Sequence, residues 1–171
     1  YVSDGIPFYR TKEVSELSRN KSISLELFIS KNKYEEIKSK FSVPIKGELL
    51  ISAVGTIGIT YVIDDDIPFY FKDGNLLWVK NIQKNFNPYF VKFCFDEIFS
   101  KTKNQLIAGS AYNALTINNL KKFKIPKIQK DEQDLIVKKI IDEKSFIIKN
   151  ENFIKNFKQK INKVVDKVWS I

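Results

Sequence analysis

The sequence predicts an α+β protein in which a twisted, mainly β domain with short helices precedes a long C-terminal coiled-coil helix. Three observations predict this class. Short β-prone runs separated by turn residues recur between residues 4 and 125. Pro126 stops the last such run, because proline has no N–H to donate. Beyond it, apolar residues recur every seven positions. We expect one domain over residues 1–130 and one helix over residues 131–171.

The first half of the chain predicts strands and one helix. Residues 4–10 predict a turn and a short strand. Ser30 is placed to cap a helix over residues 31–40, since its hydroxyl can accept from a free N–H. Residues 72–75 predict a hairpin turn, because Gly74 accepts a positive φ. Four further strands are predicted at residues 48–52, 59–63, 67–71 and 76–79.

The second half of the globular part predicts mostly helices. Asn87 can cap a helix that Pro88 begins, because the missing N–H of proline costs nothing in the first turn. A small helix is predicted at residues 117–120. Two short strands are predicted around it, at residues 106–107 and 123–125.

The long helix has a regular apolar seam. With Ile140 at the first heptad position (a), the a positions run from Gln133 to Val168, and five of these six residues are β-branched. Glu143 and Asn150 occupy the fourth position (d), where apolar residues are usual. Such a helix is not stable alone in water, so we expect a partner helix; the alternative is a surface helix folded onto its own domain. The predicted interface is Ile140, Ile147, Ile154, Phe157, Ile161, Val164 and Val168.

Composition and charge exclude several functions. The 171 residues include no His and one Cys, so a Ser-His-Asp site, a His-based zinc site and an internal disulfide are impossible. Residues 1–130 contain 20 Lys/Arg against 13 Asp/Glu, which favours a polyanionic partner for the domain. No long apolar run or signal peptide pattern is present, so we expect a cytoplasmic protein without a membrane segment. Because the chain begins at Tyr1 rather than Met, we expect a longer parent protein.

Basic and polar stretches, which we expect to be loops, are candidate nucleic-acid contacts. Lysine and arginine pair with phosphates, while amides and hydroxyls can address base edges. Arginine is the strongest candidate for reading a base, because the two parallel N–H groups of its guanidinium, its fork, fit guanine O6 and N7. The chain has only two arginines. The alternative is that these residues merely reflect a lysine-rich composition. The candidates are Arg10, Thr11, Lys12, Arg19, Lys21, Lys101, Lys103, Asn104, Gln105, Ser110, Tyr112 and Asn113.

Two patterns suggest catalysis, and each has a simpler explanation. Residues 87–90 (Asn-Pro-Tyr-Phe) are similar to the Asn/Asp-Pro-Pro-Tyr/Phe motif of amino-methyltransferases, but the second proline is missing and a helix start explains them. Glu36 and Lys38 have the spacing of metal-dependent nucleases, with Glu48 or residues 64–66 as companions. Residues two apart on a helix do not face each other. We therefore expect no catalytic and no metal-binding residues.

Three stretches occur in an order and spacing that point to one known family. Residues 5–10 (Gly-Ile-Pro-Phe-Tyr-Arg) form the first, and residues 46–58, with Gly-Glu-Leu-Leu-Ile-Ser and Gly-Thr-Ile-Gly, form the second. The third spans residues 109–133 and ends in Glu132-Gln133, where the long helix opens. Together they resemble the specificity (S) subunit of type I restriction–modification systems. A full S subunit has two recognition domains and two helices, and we find one of each.

The resemblance implies that the domain recognises one half of a bipartite double-stranded DNA target and that the helix sets the distance between halves. It also implies that the paired helices run antiparallel. It implies methyltransferase (M) subunits, a restriction and translocase (R) subunit, and a second recognition domain or second copy as partners. S-adenosylmethionine, ATP and Mg²⁺ would act in those subunits, with no cofactor in this chain. Three alternatives remain, namely the C-terminal recognition domain of a fused restriction–methylation enzyme, a metal-dependent nuclease and a coiled-coil adaptor.

Overall fold

The computed structural model describes the backbone of residues 1–71, 74–108 and 114–169, and their side chains except those of residues 103–108. The chain divides into two compact units, Tyr1–Lys130 and Asp131–Ile171. Within the described ranges, no helix is long and apolar enough to cross a membrane. The elements are β1 (Ile6–Tyr9), α1 (Thr11–Leu17), β2 (Phe28–Ile29), α2 (Lys31–Phe41), β3 (Leu49–Ser52), β4 (Thr60–Val62), β5 (Tyr70–Phe71), β6 (Leu76–Val79), α3 (Pro88–Ala108), α4 (Ile117–Leu120) and α5 (Lys130–Trp169).

Two small sheets of three strands each organise the first unit. In the first sheet β1 is central and pairs antiparallel with β2 and parallel with β5, so that Phe8 lies opposite Tyr70. In the second sheet β3 is central and pairs antiparallel with β4 and β6. There Leu50 lies opposite both Tyr61 and Trp78. The α+β class and the long C-terminal helix are confirmed.

Strand β3 is buried on both faces, so that an apolar core lies on each side of it. Successive side chains of a strand point to opposite faces of the sheet. Leu49 and Ile51 accordingly join one apolar core, which also contains Phe95 of α3. Leu50 joins a second core, which contains Val14 of α1. Helices α1 and α3 therefore pack on opposite faces of the second sheet.

The turn between β3 and β4 is fixed by hydrogen bonds and by a close approach to α3. The Ser52 hydroxyl donates to the Thr56 carbonyl at 2.5 Å and accepts from the Ile59 N–H at 2.8 Å. Gly58 has a φ of +84°, and a Cβ there would lie 2.8 Å from Cγ of Phe99. Only glycine satisfies both conditions, since other residues are strained at such a φ and would also overlap the ring.

Local capping signals predicted two helices correctly. The Ser30 hydroxyl accepts from the Lys33 N–H at 3.2 Å, and α2 begins at the next residue. The Asn87 side-chain oxygen accepts from the N–H of Tyr89 at 2.8 Å, and α3 begins at Pro88. Residues 87–90 thus form a helix start in the structure. The small helix α4 is also found where the sequence predicted it.

Three predictions of secondary structure were wrong. Residues 72–73 lie outside the described residues, but β5 and β6 on either side belong to different sheets and do not form a hairpin. Residues 101–107 form neither a loop nor a strand, because α3 continues to Ala108. Residues 123–125 have no strand partner; Phe123 and Ile125 instead pack against the core around Leu49. Helix α1 and strand β2 were not predicted from the sequence.

Candidate functional site

Two predicted contact residues lie at the start of α1 and are held by acids. The Arg10 backbone N–H donates to Glu13 at 2.8 Å, and its guanidinium donates to Oε1 of Glu13 at 2.6 Å and to Oε2 of Glu26 at 2.7 Å. The Lys12 ammonium lies 2.6 Å from Oε1 of Glu26. Thr11, a third candidate, is the first residue of α1. Two cations and two carboxylates therefore form one connected cluster.

The pKa values of this cluster favour the charged form of every member. The hydrogen bonds that the Arg10 guanidinium donates to Glu13 and then to Glu26 raise the pKa of Arg10. Hydrogen bonds from Lys12 and Arg10 lower the pKa of Glu26 to about 2. Burial alone would raise the pKa of Glu13, but the side-chain and backbone hydrogen bonds from Arg10 outweigh it, and the pKa is lowered. At neutral pH the four charges cancel, so the cluster adds no net positive charge.

The other arginine is placed differently. Arg19 follows α1 in a tight turn, where the Asn20 N–H donates to the Leu17 carbonyl at 2.9 Å and the Lys21 N–H donates to the Glu16 carbonyl at 3.1 Å. The side chains of Arg19 and Lys21 are both exposed. Among the described residues, no carboxylate lies within ion-pair distance of either cation. Arg19 is thus the arginine whose fork is available to an outside ligand.

The second predicted group belongs to α3 and the segment after it. Lys101 is exposed on α3, and its ammonium lies 2.6 Å from Oε1 of Glu97. Lys103, Asn104 and Gln105 are in the same helix rather than in the predicted loop. Three further candidates lie outside the described residues, namely Ser110, Tyr112 and Asn113. Helix α3 packs on the face of the second sheet opposite α1, so Lys101 is carried by a different layer from Arg10 and Lys12.

The nuclease-like spacing does not form a site. Glu36 pairs with Lys33 and Lys40, each at 2.9 Å, and not with Lys38. Hydrogen bonds from Lys40 and then Lys33 lower the pKa of Glu36 to about 2. In the part of the chain that the structure describes, no group of three Asp, Glu, His or Cys side chains could hold a metal ion.

Glu48, one of the proposed companions of Glu36, is a structural acceptor. Its side chain is buried, and it accepts from the Trp78 indole N–H at 2.8 Å and from the Asn81 N–H at 3.0 Å. It also accepts from the Ile45 N–H at 3.1 Å. These three donors are spread between residues 45 and 81, so no local pattern could have identified this role. A carboxylate engaged in this way is not a free metal ligand.

Helix α5 presents an apolar stripe. Ile140 is half-buried, and the other six residues of the predicted seam are between 48% and 67% exposed. Phe146 and Phe153 widen the stripe beyond the predicted positions, and the Phe153 and Phe157 rings lie 4.8 Å apart. Asn150, a polar residue at position d, donates to the Phe146 carbonyl at 3.0 Å and so satisfies part of its side chain within the helix.

A charged α+β domain joined to a long helix with an apolar stripe is the architecture of a binding and assembly module. A family-wide sequence model described as the type I restriction modification DNA specificity domain matches residues 2–163. The chain belongs to this family, as the resemblance implied.

A relative supports the same assignment. The chain is 34% identical over 136 residues to a protein of Haemophilus influenzae, strain Rd, named as a predicted type I restriction enzyme specificity subunit. The alignment covers 79% of this chain and 32% of the relative. The chain therefore spans about a third of the length of that relative.

The two arginines should differ in their effect on folding. Arg10→Ala leaves the buried Glu13 carboxylate without its main partner, and we expect the free energy of unfolding to fall by ~1–3 kcal/mol. Arg19→Ala removes an exposed side chain, and we expect a change within about 0.5 kcal/mol. Urea denaturation followed by tryptophan fluorescence measures both. Equal stability of the two variants would contradict the assigned difference.

Proposed function

We propose that this chain is a non-catalytic, sequence-specific DNA-recognition element of a type I restriction–modification system. The observation that carries the proposal is the family match over residues 2–163, which includes both the domain and most of α5. In this proposal the domain binds one half of a bipartite duplex target, and α5 sets the distance to the other half.

Catalysis belongs, in this proposal, to partner subunits. The M subunits transfer methyl groups from S-adenosylmethionine, and the R subunit translocates and cuts DNA with ATP and Mg²⁺. The chemistry of this chain supports the division. It has no His for acid–base work, and the carboxylates of Glu36 and Glu48 already have partners.

Recognition rests on exposed cations and polar groups of the domain. Arg19 is the first candidate for reading a base, because its fork is exposed and matches guanine O6 and N7. Arg10 would have to leave Glu13 and Glu26 to do so; we assign it first to holding the start of α1. Lys21 is a candidate for a phosphate contact, whereas Lys101 would first have to leave Glu97.

Helix α5 pairs, in this proposal, with another long helix. Burying one side chain such as Ile154 or Ile161 contributes ~1.5–3 kcal/mol, so several exposed residues along one stripe favour a partner. The partner is a second copy of this chain or the corresponding helix of a longer S subunit. In a pair that runs antiparallel, as the resemblance implies, two copies would recognise a symmetric target, while two different domains would recognise an asymmetric one.

The DNA proposal predicts steep salt dependence and separable roles for neighbouring cations. Binding of a target duplex by the chain assembled with its M subunits should weaken as salt rises, with a slope of about −0.9 per contacted phosphate. Arg19→Ala should cost ~1–3 kcal/mol and relax preference at one base pair, whereas Lys21→Ala should weaken binding to all duplexes equally. Fluorescence anisotropy measures these affinities. Binding that does not change between low and physiological salt would refute the proposal.

The helix proposal predicts a difference between two exposed isoleucines. Ile154 lies in the stripe at 55% exposure, and Ile148 lies outside the predicted seam at 52% exposure. Ile154→Asp should disrupt self-association or assembly with the partner helix because it buries a charge, while Ile148→Asp should not. Light scattering of the two variants, with circular dichroism to confirm folding, provides the comparison. Wild-type chain that stays monomeric and binds no partner helix would contradict pairing through α5.

A further inference from the structure

Positive charge in the first unit is concentrated in one short segment. Residues 121–130 contain five lysines and no acid, whereas residues 1–120 contain 15 Lys/Arg against 13 Asp/Glu. The excess charge that first suggested a polyanionic partner is therefore mostly located after α4. Four of these lysines, which we call the lysine segment, are exposed: Lys121, Lys122, Lys124 and Lys127.

Apolar residues between the lysines hold the segment on the domain. Phe123 and Ile125 are half-buried and pack against the core that contains Leu49 and Phe99. The Phe123 ring meets the Phe99 ring edge to face, with centroids 5.8 Å apart. The Phe123 N–H also donates to the Leu120 carbonyl at 3.2 Å. The ammonium groups are thus presented by an anchored backbone, which lowers the entropy cost of binding a ligand.

Several lysines of the domain are paired with an acid, whereas those of the lysine segment are not paired with any acid in the described ranges. Five lysines elsewhere in the first unit lie within 2.9 Å of a carboxylate: Lys12, Lys33, Lys40, Lys92 and Lys101. Over the described ranges, none of the four lysines of the segment has a carboxylate within ion-pair distance. Lys122 donates only to the Asn119 side-chain oxygen at 3.3 Å. These four charges remain available to an outside anion.

We propose that the lysine segment binds the phosphate backbone of duplex DNA. The inference rests on the proposed function and adds to it a contact surface outside the candidates drawn from the sequence. Lysine presents a compact point charge, which suits phosphate oxygens better than the bidentate pattern of a base edge. The segment packs on the same core as α3, which carries Lys101. It supplies affinity and register on the duplex without sequence information.

Charge removal with a matched control tests this role. The test variant is Lys121→Ala, Lys122→Ala and Lys124→Ala together, and the control is Lys33→Ala, Lys38→Ala and Lys40→Ala on α2. Both remove three positive charges from exposed positions. Affinities of the intact chain in assembly with its M subunits are measured over a range of salt concentrations, for target and scrambled duplexes. Thermal melts by circular dichroism confirm that each variant folds.

We expect the slope of log affinity against log salt to become shallower by about 0.9 for each lysine that contacts a phosphate. Affinity should fall by the same factor for target and scrambled duplexes, and the control should keep the wild-type slope. A test variant with the wild-type slope would overturn the inference while leaving the proposed function intact. A changed preferred sequence would show that these lysines read bases instead. Wild-type assembly with no preference for any sequence would refute the proposed function itself.

Discussion

The burial of β3 on both faces is the constraint on which the rest of the domain depends. Leu49 and Ile51 face one core and Leu50 faces the other, so the strand cannot shift by one residue without exchanging its two sets of neighbours. This register fixes α1 on one side of the sheet and α3 on the other. Lys12 on α1 and Lys101 on α3 therefore belong to different layers of the domain.

In our account, acidic neighbours decide which cations of the domain are available to contact DNA. Arg10 and Lys12 share Glu13 and Glu26, and Lys101 has Glu97. Arg19, Lys21 and the lysine segment have no such partner among the described residues. The net charge of the domain therefore does not show which of its cations would contact DNA. In our account the unpaired arginine contacts base edges, and the unpaired lysines contact phosphates.

Features set by neighbouring residues were predictable from the sequence, while features set by distant ones were not. The caps at Ser30 and Asn87 and the heptad pattern of α5 depend on residues a few positions apart. The hairpin prediction failed because β5 and β6 pair with strands far away in the chain. The pairing of Arg10 with Glu26 joins residues 16 positions apart. The family motifs identified the family to which the chain belongs, but no motif shows which side chains lack an acidic partner.

The central claim is that this chain chooses the DNA sequence on which partner subunits act. Its most direct test is the map of methylated bases across the genome of the source cells, with the gene present, deleted and restored. Our account predicts that one bipartite methylated motif disappears on deletion and returns when the gene is restored. A methylation map that is identical in all three strains would contradict the claim.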